Sequence, residues 1–263
     1  MIFLQLANIL LCLLLSSELI AQTSNTIDTP TIILSTIQRT PISTEQRDGF
    51  ADIVATTAFK KIGIELIIHN IAAKRALVNA NHGVHDGDLA RVRGVEKNYP
   101  NLVRVPELIW VAEINAFSKM QQVSLSSWQD LALYSSAYIR GWVVFEKNVP
   151  ELAATDKAFF PEALFKMLDR DRVQLALYEK KMGMSVIKQM GLIGIKPVNH
   201  TLVTAPIYIY LHKKHQALIP ALAQAIREMK QDGSFQQIMQ DTLGKVLSSS
   251  ELESYRVMQN SFE

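Results

Sequence analysis

Charged side chains that could bind a small anion lie in the segment from Asn81 to Pro100. A helix is predicted to stop at Gly83, and a short strand follows with Asp86, Asp88 and Arg91. The planar guanidinium of Arg91 can pair with a carboxylate through two parallel hydrogen bonds. Side chains alternate along a strand, so Asp86 and Asp88 are predicted on one face and Arg91 on the other. Arg91 is therefore the first candidate for a ligand contact, and the structural alternative is an ion pair with Asp86 or Asp88.

A second candidate site is Arg140-Gly141-Trp142, at the end of another predicted strand. Gly141 lets the backbone approach a ligand closely, and the next helix could present free amides to an anion. Trp142 could stack on a cyclic or apolar ligand, or belong to the core. Two further candidates for lining a cleft are Trp110 and Tyr178, and Trp110 lies in an apolar strand where a core position is the alternative.

The sequence lacks the motifs of the common catalytic and metal sites. Cys12 is the single cysteine, and neither a G-x-S-x-G elbow nor a phosphate-binding glycine loop is present. His82 and His85, with Asp86, are donor types that zinc accepts. Because they are predicted at a helix end and on a strand, their side chains need not converge. We expect no catalytic residue, no metal and no cofactor.

Composition and the first residues limit the class of protein. The 263 residues include 27 Lys and Arg and 25 Asp and Glu, and no basic run is interleaved with aromatics, which excludes nucleic acid as a partner. Residues 1–21 contain an apolar run and end at Ala21, the pattern of a secretory signal peptide. The run is shorter than the ~20 residues of a spanning helix. We expect cleavage near Ala21 and a monomeric periplasmic protein.

Hydrophobic periodicity predicts alternating strands and helices. We predict strands at residues 31–36, 64–69, 102–118, 137–140, 173–178 and 201–211, and helices at 50–62, 72–81, 161–169, 179–190, 217–229 and 235–243. Ser127 and Asp130 have the spacing of a capping box that opens one more helix. Strands that alternate with helices are typical of α/β folds with parallel strands.

Three segments together resemble the amino-acid-type group, family 3, of the bacterial extracellular solute-binding proteins. They are Gly49 to Arg91, which includes a G-x-x-D turn ending at Asp86, then Ala137 to Gly141, and finally Tyr208 to Gly233. The resemblance implies an α/β, two-lobed fold of the periplasmic-binding-protein type 2 class, with a ligand cleft between lobes that two crossing strands join. It implies lobe 1 at residues 24–115 and 207–263 and lobe 2 at residues 116–206.

The same resemblance implies a non-enzymatic protein that captures a small polar or anionic solute by hinge closure, for an ABC permease. A dehydratase-like periplasmic enzyme, or a sensor with a membrane partner, remains an alternative on this scaffold. The family's loop arginine is missing from Val95 to Asn98, and Gln174 stands where an acid of the second lobe is expected. Both departures argue against a standard α-amino acid. We expect Arg91 and Arg140 to face each other across the cleft and bind an anionic group.

Overall fold

The computed structural model describes residues 29–260 and residue 262 of the chain. The predicted signal peptide, residues 1–21, lies outside these described residues. Within them, no helix has both the length and the apolar character that crossing a membrane requires.

Strands and helices alternate through most of the described chain. The strands are β1 (Thr31–Thr36), β2 (Glu65–Asn70), β3 (Gly87–Val92), β4 (Leu102–Ser118), β5 (Ser136–Ile139), β6 (Thr155–Ala158), β7 (Leu175–Glu179) and β8 (Lys196–His212). The helices are α1 (Phe50–Lys61), α2 (Ala73–Asn81), α3 (Val143–Asn148), α4 (Pro161–Asp169), α5 (Lys180–Gln189), α6 (Ile219–Gln231), α7 (Ser234–Leu243) and α8 (Ser249–Asn260). Single 3-10 turns cover Val95–Lys97, Trp128–Leu133 and Lys213–Leu218.

The strands form one mixed sheet in the order β2-β1-β3-β8-β4-β7-β5-β6. β1 pairs in parallel with β2 and β3, and we call these strands the first half of the sheet. β5 pairs in parallel with β6 and β7, which form the second half. β4 and β8 are antiparallel to each other and join the two halves. The mixed α/β architecture with two crossing strands is thus confirmed.

β7 shows why the second half reads as an apolar run in the sequence. Leu175 and Leu177 pack into one hydrophobic cluster, and Ala176 and Tyr178 pack into another. Because alternate side chains point to opposite faces, the strand is buried on both sides.

Most predicted strands and helices are present, with boundaries shifted by a few residues. The strands and helices that were not predicted are short or polar. β1 matches its predicted range, and the left-handed turn after α1 is made by Gly63 at φ +73. The capping box of Ser127 and Asp130 is present, but it opens a 3-10 turn and not an α-helix. No range was predicted for α3, β6 or α8. A helix was expected after Trp142, where α3 lies, and β6 reads Thr-Asp-Lys-Ala without apolar alternation.

A buried ionic network lies where the crossing strands connect the two halves. Lys181 Nζ lies 2.6 Å from Glu113 Oε1 of β4 and 3.7 Å from Glu179 Oε1 of β7. Burial by itself raises the pKa of Glu113, but the charge and hydrogen bond of Lys181 outweigh it and leave that pKa lowered. Tyr255 of α8 accepts a hydrogen bond from Val111 N at 2.8 Å, and its ring centroid lies 4.4 Å from Lys181 Nζ. The C-terminal helix therefore packs directly against crossing strand β4 and the Lys181 network.

Replacing Lys181 by Ala should destabilise the protein strongly, because buried Glu179 would lose its nearby cation and Glu113 would keep only its longer contact with Lys180, at 3.5 Å. The expected loss is about 3–5 kcal/mol in the free energy of unfolding, measured by urea denaturation. Lys61→Ala is the control, because its ion pair with Asp232, at 3.4 Å, is partly exposed and should contribute less than about 1 kcal/mol. Equal losses in the two variants would contradict a structural role for the network.

Candidate functional site

Charged and aromatic side chains from both halves of the sheet meet at one place. The inter-lobe cluster, as we name it, consists of Arg39, Asp88, Arg91, Trp142, Tyr178 and Glu179. Arg39 follows β1, Trp142 follows β5 and Glu179 ends β7. Ligands of open α/β sheets bind outside the carboxyl ends of parallel strands, so the cluster has the location expected of a ligand site.

One contact in this cluster joins the two halves of the sheet directly. Arg39 Cζ lies 4.3 Å from the centroid of the Trp142 ring, a cation–π geometry. Phe145 stacks on Trp142 with ring centroids 5.5 Å apart, and Tyr178 lies 4.9 Å from it. The Trp142 ring is therefore held in place by the second half while it receives a cation from the first.

The backbone around Arg39 is held by a tight turn. Arg39 N donates to Ser43 O at 2.7 Å, and Arg39 O accepts from Ile42 N at 2.7 Å and Ser43 N at 3.0 Å. This turn fixes the point from which the long side chain extends toward the second half.

The electrostatic environment of Arg39 is formed by the other members of the cluster. Desolvation lowers the pKa of Arg39 to about 10, although part of the side chain still touches solvent. Tyr178, Asp88 and Glu179 act to raise this pKa, and the charge of Arg91 acts to lower it. The guanidinium nevertheless remains protonated at neutral pH. All four neighbours are thus within electrostatic range of Arg39.

Asp88 and Arg91 form a buried ion pair, which is the structural alternative that the sequence offered for Arg91. Arg91 Nη2 lies 2.8 Å from Asp88 Oδ2, and the Asp88 side chain is 1% exposed. The strand register shifts between these residues, as at a β-bulge. The prediction that they lie on opposite faces is therefore wrong, because it assumed unbroken alternation.

Tyr178 and Glu179 form the buried wall of the cluster. Burial raises the pKa of both side chains. Glu179 Oε2 accepts from Met182 N at 2.8 Å and caps α5, and Oε1 accepts from Glu113 N at 3.3 Å. Both carboxyl oxygens therefore accept backbone hydrogen bonds, one from Glu113 of β4 and one from the start of α5.

Three of the predicted site residues lie apart from the cluster. Arg140 is exposed, and its Cζ lies 4.9 Å from the Phe159 ring centroid. Gly141 adopts φ +84 and its amide donates to Glu146 Oε1 at 3.1 Å, so this amide is already bonded. Trp110 is 3% exposed in the core, which was its alternative assignment. That Arg91 and Arg140 face each other across the cleft and bind an anionic group stays a prediction. In the structure Arg91 pairs with Asp88, and Trp142, beyond the left-handed turn at Gly141, meets Arg39.

Gln174 also lies away from the cluster. Its Oε1 accepts from Ser135 N at 2.9 Å, and the following residue, Leu175, pairs with Ser136 at the amino end of β5. Gln174 is thus at the amino end of β7, whereas Glu179 is at the carboxyl end, where the cluster lies. The acid of the second half that belongs to the cluster is Glu179, so Gln174 gives no argument against an amino-acid ligand.

Arg39 and Glu179 were missed by the sequence analysis. Both occupy the carboxyl end of a parallel strand or the loop that follows it, and that rule was applied only to Arg91. Applying it to β1 and β7 would have found them.

Within residues 29–260 and 262, no group of three or more His, Cys, Asp or Glu side chains could hold a metal ion, and Asp86 has a structural role. His82 Nδ1 lies 2.8 Å from Val78 O, while His85 Nδ1 lies 2.6 Å from Ser35 Oγ. Asp86 Oδ2 accepts from Ile33 N at 2.9 Å and thereby holds the turn before β3 against β1.

A cavity of about 430 Å³ lies beside the cluster, between the loop at residues 40–49, α5 and the segment after α7. Pro41, Lys188 and Lys245 contribute to its lining. It borders the residue after Arg39 but contains none of the cluster side chains, so it is a neighbour of the candidate site and not the site itself.

Comparison with known proteins identifies the architecture. No protein-family model matches the chain. An uncharacterized protein of Shewanella oneidensis is 24% identical over 237 residues, covering 84% of this chain and 88% of the relative. A histidine kinase sensor domain similar to periplasmic binding proteins superposes with TM-score 0.70 at 14% identity, covering 82% of this chain and 98% of that domain.

Two further solved structures have the same architecture. The substrate-binding protein of an amino acid ABC transporter gives TM-score 0.66 at 17% identity, covering 81% of this chain and 98% of that protein. The ancestral amino-acid-binding protein AncCDT-1, a precursor of cyclohexadienyl dehydratase, gives TM-score 0.67 at 13% identity. The match covers 82% of this chain and 97% of that protein. The fold is that of the type 2 periplasmic binding proteins. At the level of fold, the resemblance to family 3 is confirmed.

Replacing Arg91 by Ala should destabilise the protein, because Asp88 would stay buried without its partner. The expected loss is about 3–5 kcal/mol, read from urea denaturation, and Arg91→Lys should recover only part of it. Arg140→Ala is the matched control. This substitution removes the contact between an exposed arginine and the Phe159 ring, which should lower the free energy of unfolding by about 0.5–1 kcal/mol. A larger loss from Arg140→Ala would contradict the assignment of these two residues.

Proposed function

We propose that this protein is a periplasmic solute-binding protein that captures a small polar or anionic solute by closing its two lobes. The observation that carries the proposal is the contact of Arg39 with Trp142, 4.3 Å from guanidinium carbon to ring centroid. It joins the two halves of the sheet at the edge where ligands of such sheets bind. A solute bound there would touch both halves and favour the closed arrangement.

The crossing strands support a hinge. The β4–β8 pairing shifts register repeatedly, and two of the shifts flank Asn115. The Asn115 amide donates to Val198 O and His200 O, each at 3.2 Å, and so holds this irregular stretch of the ladder together. Residues that absorb backbone rotation are few in hinge closure, and an irregular stretch of ladder supplies them. The lobe limits at residues 24–115, 116–206 and 207–263 cross the strands close to this point.

The export and partner assignments follow from the same proposal. The signal peptide would be cleaved near Ala21, and the mature monomer would deliver its solute to an ABC permease. Similarity to a sensor domain supports a membrane sensor as an alternative receiver. Deleting candidate permease genes and candidate sensor-kinase genes of the host in separate strains distinguishes the two, since only one class of deletion should abolish the solute response.

The enzymatic alternative lacks an available proton carrier in the cluster. Asp88 is ion-paired with Arg91, and both Glu179 oxygens accept backbone hydrogen bonds. A general acid or base must instead reach the substrate's proton by hydrogen bonding. Binding without chemistry is therefore the function that this geometry supports best.

Ligand saturation should compact the protein and stabilise it. A thermal-shift screen of metabolites supplies the ligand, and small-angle scattering compares the free and saturated protein. At about 100 times the dissociation constant, the added stability should be roughly 2.7 kcal/mol.

Trp142→Ala should weaken binding and compaction together, because it removes the ring that contacts Arg39. Leu133→Ala, at a side chain 73% exposed, is the control and should change neither. Scattering that stays the same in a saturated wild-type protein would contradict hinge closure.

A further inference from the structure

Arg39 differs from the other charged members of the inter-lobe cluster in its bonding. Arg91 and Asp88 neutralise each other at 2.8 Å, and Glu179 bonds two backbone amides and lies 3.7 Å from Lys181. Within residues 29–260 and 262, the Arg39 guanidinium has its contact with Trp142 but neither an ion pair nor a hydrogen bond. A cation taken partly out of water without an acceptor is unfavourable unless something else compensates it.

The Trp142 contact does not satisfy the hydrogen-bonding capacity of Arg39. The guanidinium carbon lies 4.3 Å from the ring centroid, and a ring face offers no lone pair to an N–H donor. An arginine has five N–H donors, and among the described residues those of Arg39 have no hydrogen-bond acceptor. These donors therefore remain for an acceptor that the described residues do not supply.

We infer that Arg39 is the anion receptor of the cleft and that the solute carries an oxyanion, a carboxylate or a phosphate, which accepts two hydrogen bonds from the Arg39 guanidinium. The inference rests on the proposed function and names the ligand class of the same site. The fork of an arginine matches both oxyanions.

The neighbours of Arg39 favour an anion over a cation. Asp88 cannot supply a free charge to a cationic solute, because Arg91 already neutralises it. Glu179 is 1% exposed, and burial raises its pKa, which disfavours its charged form. A cationic solute would meet Arg39 without an available counter-charge, whereas an oxyanion would complete the pairing.

The test uses defined probes on the mature protein: succinate, benzoate and inorganic phosphate, with sodium chloride at matched ionic strength as the reference. Agmatine, which is cationic and has no carboxylate, and glucose are the cationic and neutral probes. Affinities are measured by calorimetric titration of the wild type, Arg39→Gln, Arg39→Lys and Arg256→Gln. The last is the matched control, because Arg256 is 52% exposed on α8.

We expect at least one oxyanion probe to bind the wild type and Arg256→Gln equally. Arg39→Gln should weaken that binding by roughly 10- to 150-fold, and Arg39→Lys should be intermediate, because an ammonium lacks the fork. Succinate or benzoate binding alone identifies a carboxylate, and phosphate binding alone identifies a phosphate.

A second measurement needs no ligand. Because Arg39→Gln removes the contact with Trp142 but no ion pair or hydrogen bond, the ligand-free variant should melt within about 4 °C of the wild type. A larger decrease would show that Arg39 has a structural role and would overturn the inference. So would unchanged oxyanion affinity in Arg39→Gln, or the failure of every oxyanion probe to bind the wild type. If glucose or agmatine compacts the protein independently of Arg39, the proposed function stands and only this inference fails.

Discussion

The pairing of β4 with β8 is the constraint on which the rest of the molecule depends. Each strand has 17 residues and spans roughly 56 Å at about 3.3 Å per residue. Leu102 pairs with His212 at one end of the ladder, and Ser118 pairs with Lys196 at the other. β3 is added beside β8 in the first half, and β7 beside β4 in the second. The cleft exists because the two parallel groups are attached to different parts of the same ladder.

The β4–β8 ladder has to keep the two halves of the sheet together, and the proposed closure also requires it to bend. The Lys181 network and Tyr255 pack on the regular part of the crossing, while the register shifts around Asn115 interrupt it. A buried ion pair contributes little net stability compared with apolar packing, but it strongly disfavours arrangements that separate its partners. If the lobes close as proposed, the network would restrict the directions in which they move, and the irregular ladder would supply the freedom that remains.

The sequence could predict the elements that depend on local patterns, but it could not predict contacts that join distant segments. β1, α1 and α4 follow from apolar periodicity, Gly63 and Pro161, all of which act within a few residues. The meeting of Arg39 with Trp142 joins residues a hundred positions apart and depends on the crossing strands. The β-bulge that brings Asp88 to Arg91 leaves no mark in the composition of the strand. Gln174 was misassigned because the direction of β7 relative to the cleft is a property of the sheet.

The charge of Arg39 connects stability with function. A protein under selection for stability alone gains nothing from a desolvated guanidinium that stacks on a ring and lacks an acceptor, because glutamine or methionine would fill similar space without that cost. Unpaired donors in a water-depleted place are, however, what a receptor for an anion requires, since a charge-assisted bond strengthens where water is excluded. The lobes can then close around an oxyanion with more favourable electrostatics than they have alone. The same residue that weakens the free closed state would stabilise the bound one, which is the differential interaction that ligand-driven closure needs.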